Sequence, residues 1–103
     1  MNNSFGFFNM AGTIQQRRVK HFEDIKRHVV VDTSAVICSD KPYETAIKYP
    51  KYNSGDWVVV QVYDTKNKAI VGHNKWVKKL TADRLPKTLK DVSLCVIAKR
   101  KRR

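Results

Sequence analysis

The sequence predicts one small α+β domain that is mainly β and begins with an amphipathic helix. A valine-rich run from Trp57 to Tyr63 alternates in the manner of a β-strand. Apolar residues between Gln15 and His28 recur at the spacing of one helical face. The chain has 103 residues, of which 42% are hydrophobic, which is enough to bury one modest core. We therefore expect a single folded unit.

The two ends of the chain differ in composition from its middle. Residues 1–13 mix Asn, Ser, Gly and Phe without a period, and we interpret them as a mobile leader before a globular domain of residues 14–98. The last five residues, Lys99–Arg103, are all cations, which predicts a solvated basic tail. Such tails serve as nuclear import signals or as phosphate-binding segments.

The first predicted element is a helix from Gln15 to His28, with Thr13 as its cap. The segment holds five lysines and arginines against two acids. The helix would either offer a positive face to an anionic partner or simply present that face to solvent. Its apolar face would contain Val19, Phe22, Ile25 and Val29.

The next segments read as strands separated by turns. Val29–Ser39 is strand-like at both ends with a polar break at Asp32–Ser34, so it forms either two short strands around a turn or one strand with a bulge. Asp40–Tyr43 has turn composition, because proline restrains itself and the residue before it. Glu44–Tyr49 fits a helical turn or a strand, and Pro50 ends it.

A β-hairpin is predicted at the centre of the chain. In the strand from Trp57 to Tyr63, the valines at alternate positions would face the core, and the other face would carry large, partly polar side chains. That second face is either another packing surface or an exposed contact surface. Asp64–Asn67 would form the turn, and Lys68–Gly72 the return strand. The core-facing residues would be Val58, Val60 and Val62, and the opposite face would contain Trp57, Gln61 and Tyr63.

Two further elements follow the hairpin. His73–Leu80 has helical spacing, with Trp76 as an anchor packed under the sheet. Asp91–Ala98 alternates again, and we expect it to be the last strand, which closes the sheet.

The turn Asn53–Asp56 and the strand after it carry a resemblance to a known fold. Gly55–Val60, Gly-Asp-Trp-Val-Val-Val, with the hairpin that follows, resembles the first strands of SH3-like barrels of the Tudor type over about a quarter of the chain. The resemblance implies a small SH3-like or related β-barrel or sheet. Many such modules bind methylated side chains or nucleic acid through aromatic residues at the rim. No full aromatic cage can be matched, so no cage residue is assigned.

The charge of the chain predicts an anionic partner. It has 21 lysines and arginines against 9 acids, for a net charge of +12. DNA, RNA, an anionic membrane surface or an acidic protein would fit, although no stretch approaches the ~20 apolar residues of a membrane span. The candidate nucleic-acid contacts are Arg17, Arg18, Lys20, Arg27, Lys48, Lys51, Lys75, Lys78, Lys79, Lys99, Arg100, Lys101, Arg102 and Arg103.

Aromatic residues lie among the lysines in the middle of the chain. Rings interleaved with lysines are typical of surfaces that stack bases while the lysines hold phosphate, but the same rings can simply fill a small core. The candidates for stacking or peptide contact are Tyr52, Trp57 and Tyr63.

No catalytic, metal or cofactor site is predicted. His21, His28 and His73 lie beside basic residues, which would lower their pKa without an orienting partner. Cys38 and Cys95 lie in apolar runs of a chain without a secretory signal, and we expect buried thiols rather than a disulfide.

These features favour a small basic nucleic-acid-binding protein of the nucleus or cytoplasm, neither secreted nor an enzyme, which binds mostly through phosphate contacts with possible aromatic stacking. One alternative is an SH3-like interaction module, nuclear, viral or from a mobile element, that takes a peptide on its Trp57/Tyr63 face. Another is a structural component of a nucleoprotein particle. DNA and RNA remain equally open.

Overall fold

The computed structural model describes residues 17–36 and 41–93 as an antiparallel sheet of four strands with one helix packed against it. The strands follow one another in the order β1-β2-β3-β4, so each is paired with its neighbour in sequence. The predicted leader, the basic tail and both cysteines lie outside the described residues. The elements are β1 (Arg18–Asp24), β2 (Val29–Ala35), β3 (Tyr43–Lys48), a short 3-10 turn (Asn53–Gly55), β4 (Val58–Tyr63) and α1 (Lys66–Thr81).

The predicted N-terminal helix is wrong over its described part, which is strand β1 and the turn after it. The helical spacing of its apolar residues does not mark one buried face. Phe22 lies opposite Val31 of β2 and packs against the core, whereas Ile25 is 78% exposed in the turn. Val19 falls at a shift of register between the two strands. Pairing with the β-branched strand β2 supplies the hydrogen bonds that a helix would have made internally.

β2 is one continuous strand, so of the two alternatives for Val29–Ser39 the single strand is confirmed for the described residues, and the turn at Asp32–Ser34 is wrong. The register with β1 shifts at Thr33 and Ser34, where Val19 of β1 is the extra residue. The polar side chains fit because alternate residues face opposite sides of the sheet. The Asp32 carboxylate accepts hydrogen bonds from Arg18 Nε at 2.9 Å and from Ser34 Oγ at 2.8 Å. Thr33 instead points under α1, where it is fully buried. β3 pairs along β2, which settles Glu44–Tyr49 as mainly strand.

A bulge in β4 changes which of its side chains share a face. Thr45 of β3 lies opposite Gln61, but the next residue, Ala46, lies opposite Val59, so Val60 is an extra residue. After the bulge, the alternation is reversed. Tyr63 consequently lies on the α1 side, where its hydroxyl bonds to Thr45 Oγ1 at 2.9 Å.

α1 takes the place of the predicted return strand Lys68–Gly72, so the hairpin is wrong. The predicted turn is instead a helix start, because Thr65 Oγ1 caps the helix by accepting a hydrogen bond from the Lys68 backbone N–H at 3.2 Å. The predicted helical part, His73–Leu80, is confirmed as the second half of α1, and Trp76 packs against the core. The full inward stripe of α1 is Ala69, Gly72, His73, Trp76, Val77 and Leu80.

The core lies between the sheet and α1, and the chain after α1 returns to the strands. The Tyr52 hydroxyl donates to the Pro86 carbonyl, and Val92 N–H donates to the Val59 carbonyl at 2.8 Å. Of the last predicted strand, Asp91–Ala98, the structure describes only the first three residues, and the rest lies outside the described residues. The buried apolar cluster is Val29, Val31, Ile47, Tyr52, Val58, Val60 and Leu80.

The α+β class is confirmed, and the described strands form an open sheet. The resemblance of Gly55–Val60 to SH3-like barrels stays a prediction. Among residues 17–36 and 41–93, no helix has the length and apolar character that crossing a membrane requires.

Candidate nucleic-acid interface

The outer side of α1 carries a dense group of positive charges. The 16-residue helix contains five lysines and no acid, and all five lysines are exposed. At about 100° per residue, four of them fall within an arc of about 100° that adjoins the buried stripe at Gly72 and turns from there toward solvent. We call these four residues the lysine face: Lys68, Lys75, Lys78 and Lys79.

The helix itself favours this arrangement at its C-terminal end. Lys78 and Lys79 occupy the last turn, where positive charges interact favourably with the partial negative charge of the helix terminus. Lys79 Nζ also lies 4.4 Å from the centre of the Trp76 ring. Trp76 Nε1 in turn donates to Gln61 Oε1 at 2.9 Å, which ties this part of the helix surface to β4.

In the described part of the chain, one acid pairs with the lysine face. Lys68 Nζ lies 3.3 Å from Asp64 Oδ1, and the pKa of Asp64 is lowered by the hydrogen bond and the charge of Lys68 and by the charge of Lys41. Both partners of this pair are largely exposed, so the pair contributes little to stability. An anionic ligand can therefore replace the carboxylate at small cost.

A groove runs beside the lysine face, between α1 and β4, with a volume of about 490 Å³. Its lining brings together lysines from separate parts of the chain, Lys41 before β3 and Lys68 and Lys75 on α1. Apolar side chains, Val62 and Val71, line it as well. The fold thus places cations next to an accessible apolar surface.

The predicted contacts at the N-terminal end do not form a helical surface. Arg18 and Lys20 lie on β1, and Arg27 lies in the turn after it. Arg18 pairs with Asp32 at 2.9 Å, and Arg27 pairs with Asp24 at 3.0 Å. These arginines are therefore matched by acids within the fold, whereas the structure shows no acidic partner for Lys75, Lys78 or Lys79 among residues 17–36 and 41–93.

The environment of Asp32 favours its charged form, which is the form that pairs with Arg18. Burial alone would raise its pKa, but hydrogen bonds with His21 and Ser34 and the positive charge of Arg18 lower the pKa below its usual value. Arg17 is half-buried and lines a second cleft of about 210 Å³ that also contains Asp32 and Trp57. This cleft lies on the sheet face opposite α1.

The predicted aromatic contacts are separated by the fold. Tyr52 and Tyr63 are each only 5% exposed, and burial raises the pKa of both. Trp57 is half-buried on the other face of the sheet, with Lys48 Nζ 5.9 Å from its ring centre. The interpretation of Trp57 and Tyr63 as one contact face is therefore wrong, because the bulge in β4 turns Tyr63 inward.

The structure brings only part of the predicted site together. Lys75, Lys78 and Lys79 share α1, whereas Lys51 is exposed in the connection after β3. Lys99–Arg103 lies outside the described residues. Lys68 was not predicted as a contact from the sequence, although the Thr65 cap and the apolar spacing of α1 indicate a helix that begins before Lys68. The sequence does not indicate that Lys41 lies beside the lysines of α1, because only the tertiary fold brings them together.

A series of hydrogen bonds between buried side chains links α1 to the sheet. His73 Nδ1 bonds to Thr33 Oγ1 at 2.8 Å, Thr33 bonds to Thr45 Oγ1 at 2.6 Å, and Thr45 bonds to the Tyr63 hydroxyl at 2.9 Å. Burial, together with the positive charge of Lys20, lowers the pKa of His73 to about 4. His73 is 1% exposed, so it is neutral near pH 7 and acts in packing.

No group of three or more His, Cys, Asp or Glu side chains in the described part of the chain is arranged to hold a metal ion. Comparisons with protein-family models, with curated proteins and with solved structures gave no match to this chain. The lysine face and the adjoining groove are thus the features from which a function can be inferred.

Proposed function

We propose that this protein binds nucleic acid, mainly through phosphate contacts made by the lysine face of α1. The observation that carries the proposal is the concentration of four exposed lysines on one side of a helix that contains no acid. A lysine that neutralises a phosphate releases condensed counterions, and this release favours binding. Because phosphates carry no direct sequence information, we expect little sequence preference.

The dimensions of α1 suit this role. A helix of 16 residues is about 24 Å long, and phosphates along one strand of a duplex are spaced by about 3.4 Å along the axis. The lysine face can therefore reach several phosphates at once. The net charge of +12 adds long-range attraction, which accelerates encounter with any polyanion.

We infer binding rather than catalysis. His73, whose pKa is lowered to about 4, is buried in the packing between α1 and the sheet. The basic tail predicted from the sequence would add phosphate contacts or nuclear import. A structural place within a nucleoprotein particle would use the same contacts.

Removal of charge from the lysine face tests the proposal. The triple variant Lys75→Gln, Lys78→Gln, Lys79→Gln keeps good helix formers at exposed positions, so the fold should be retained. We expect its affinity for a fluorescently labelled oligonucleotide to fall by at least about tenfold at moderate salt, because three phosphate contacts are lost. Fluorescence anisotropy measures the affinity, and circular dichroism verifies the fold.

A matched control removes the same charge elsewhere. Lys26, Lys87 and Lys90 are exposed and lie outside α1, and all three can be changed to glutamine together. We expect this control to lose less than about threefold in affinity, since only general attraction is weakened. Equal losses in the two triple variants would show that net charge, and not the lysine face, determines binding.

A further inference from the structure

We propose that the groove between α1 and β4 holds one unstacked nucleotide, with its base on the apolar lining and its phosphate on the lysines. This inference rests on the proposed function and adds a substrate class: single-stranded nucleic acid is bound in preference to duplex. The groove is formed by residues of three parts of the chain, the connection before β3, the strand β4 and the helix α1.

The apolar part of the groove has the character of a base-binding surface. Val71 is 54% exposed on α1, one of two large hydrophobic side chains exposed among the described residues, and it lines the groove together with Val62. Unstacked bases are held between aromatic or apolar side chains in proteins that take a base out of the stack. A base on these valines would cover apolar surface that otherwise faces water.

Amide side chains at the groove can bond the edge of a base. Asn67 and Gln61 both line it. Gln61 Oε1 is occupied by the Trp76 indole N–H at 2.9 Å, which fixes the orientation of the Gln61 amide. Amides pair well with base edges because they offer a donor and an acceptor side by side.

The cationic part of the groove converges on one place. Lys41 and Lys68 come from distant positions in the sequence, yet the charges of both lower the pKa of the same carboxyl group, that of Asp64. Lys75 lines the groove two helical turns after Lys68. Asp64 lines the same groove, so a phosphate would take over the exposed contact that Lys68 makes with this carboxylate. With Lys41 and Lys75 as well, the phosphate would make charge-assisted hydrogen bonds, which are stronger than those between neutral groups.

Volume and accessibility favour a single strand. The groove of about 490 Å³ is within the range of about 300–1,000 Å³ found for small-molecule sites. In a duplex each base is already stacked and paired, and extruding one costs a few kcal/mol. A flexible single strand can place a base in the groove without that cost.

The test separates base contacts from phosphate contacts. Binding of a thymidine decamer is compared by anisotropy with that of an abasic decamer, which has the same phosphates without bases, and with a duplex of the same length. We expect the wild-type protein to bind the thymidine decamer at least about tenfold more tightly than the abasic strand, and more tightly than the duplex, since only an unpaired base can cover the apolar lining of the groove.

The variant Val71→Asn removes the apolar contact at an exposed helix position. We expect it to reduce the preference for thymidine over abasic strand to less than about threefold, while affinity for the abasic strand stays within about twofold of the wild type. Ile25→Asn is the matched control, because Ile25 is also exposed, at 78%, but lies in the turn between β1 and β2. This control should keep the full preference.

Several results of these binding experiments would contradict the groove inference. Equal binding of thymidine and abasic strands by the wild type, or tighter binding of the duplex, would overturn the groove inference and leave the phosphate contacts of the lysine face standing. Loss of the preference in Ile25→Asn but not in Val71→Asn would overturn it as well. If no strand binds at low salt, both the proposed function and the groove inference are wrong.

Discussion

Replacing Gly72 by alanine is expected to lower the free energy of unfolding by about 2 kcal/mol, although alanine is the better helix former. A Cβ atom added at Gly72 would overlap three atoms of the Tyr63 side chain, Cε1, Cζ and OH. The ring cannot easily move, because it is 5% exposed and its hydroxyl bonds to Thr45 Oγ1 at 2.9 Å. Overpacking costs about 1–3 kcal/mol, and overlap with three atoms of a fixed ring places this change at the upper end, about 3 kcal/mol. The gain in helix propensity offsets only about 1 kcal/mol of that cost.

Urea denaturation of Gly72→Ala measures the loss, and two further variants locate its cause. Asn74→Ala, on the exposed side of the same helix, should be as stable as the wild type or slightly more stable. Adding Tyr63→Leu to Gly72→Ala removes the ring, so the double variant should be more stable than the sum of the single changes implies. An alanine at position 72 that stabilises the protein would show that Tyr63 does not pack against it.

Acid is expected to weaken the fold between about pH 6.5 and pH 4 through His73. The pKa of His73 is lowered to about 4 in the folded protein, chiefly by burial and then by the charge of Lys20, with Asp32 opposing and His21 adding to the effect. The unfolded chain, with a histidine pKa of about 6.5, therefore binds the proton first. The stabilising contribution is complete above about pH 6.5 and is lost as the pH falls to about 4, by up to about 3 kcal/mol.

Urea unfolding at a series of pH values measures this loss, and His73→Gln is the variant that isolates it. Glutamine can bond to Thr33 but does not titrate, so its stability should change less between pH 6.5 and pH 4. Asp32 and Asp64 do not confuse the comparison, since their pKa values are lowered from 3.8 and their contributions are lost only below that pH. Parallel stability curves for the wild type and His73→Gln would contradict the role given to His73.

The parts of the fold that depend on local sequence were predicted well. The alternation of β4 and the helical spacing of His73–Leu80 are both visible in short windows, and both elements exist. β1 was missed because its apolar residues repeat at three-residue intervals by coincidence. The first half of α1 was missed because Gly72 resembles a strand end, although its small size serves close packing against Tyr63.

The remaining differences come from pairing between distant residues. The bulge at Val60 depends on how β4 aligns with β3, and no pattern within β4 reveals it. That bulge turns Tyr63 inward and away from Trp57, so these two side chains do not share one face of the sheet. In the same way, the sequence is sufficient to predict Lys75 as a candidate contact from its charge. That Lys75 and Lys41 line the same groove can be seen only in the folded structure.

The salt dependence of binding to a single-stranded oligonucleotide tests the central claim most directly. Each phosphate contact on a single strand contributes about −0.7 to the slope of the logarithm of the binding constant against the logarithm of salt concentration. We expect the triple change of Lys75, Lys78 and Lys79 to glutamine to make this slope less steep by about 2, and the control change of Lys26, Lys87 and Lys90 to alter it much less. The same slope in the wild type and the lysine-face variant would contradict the claim that α1 carries the phosphate contacts.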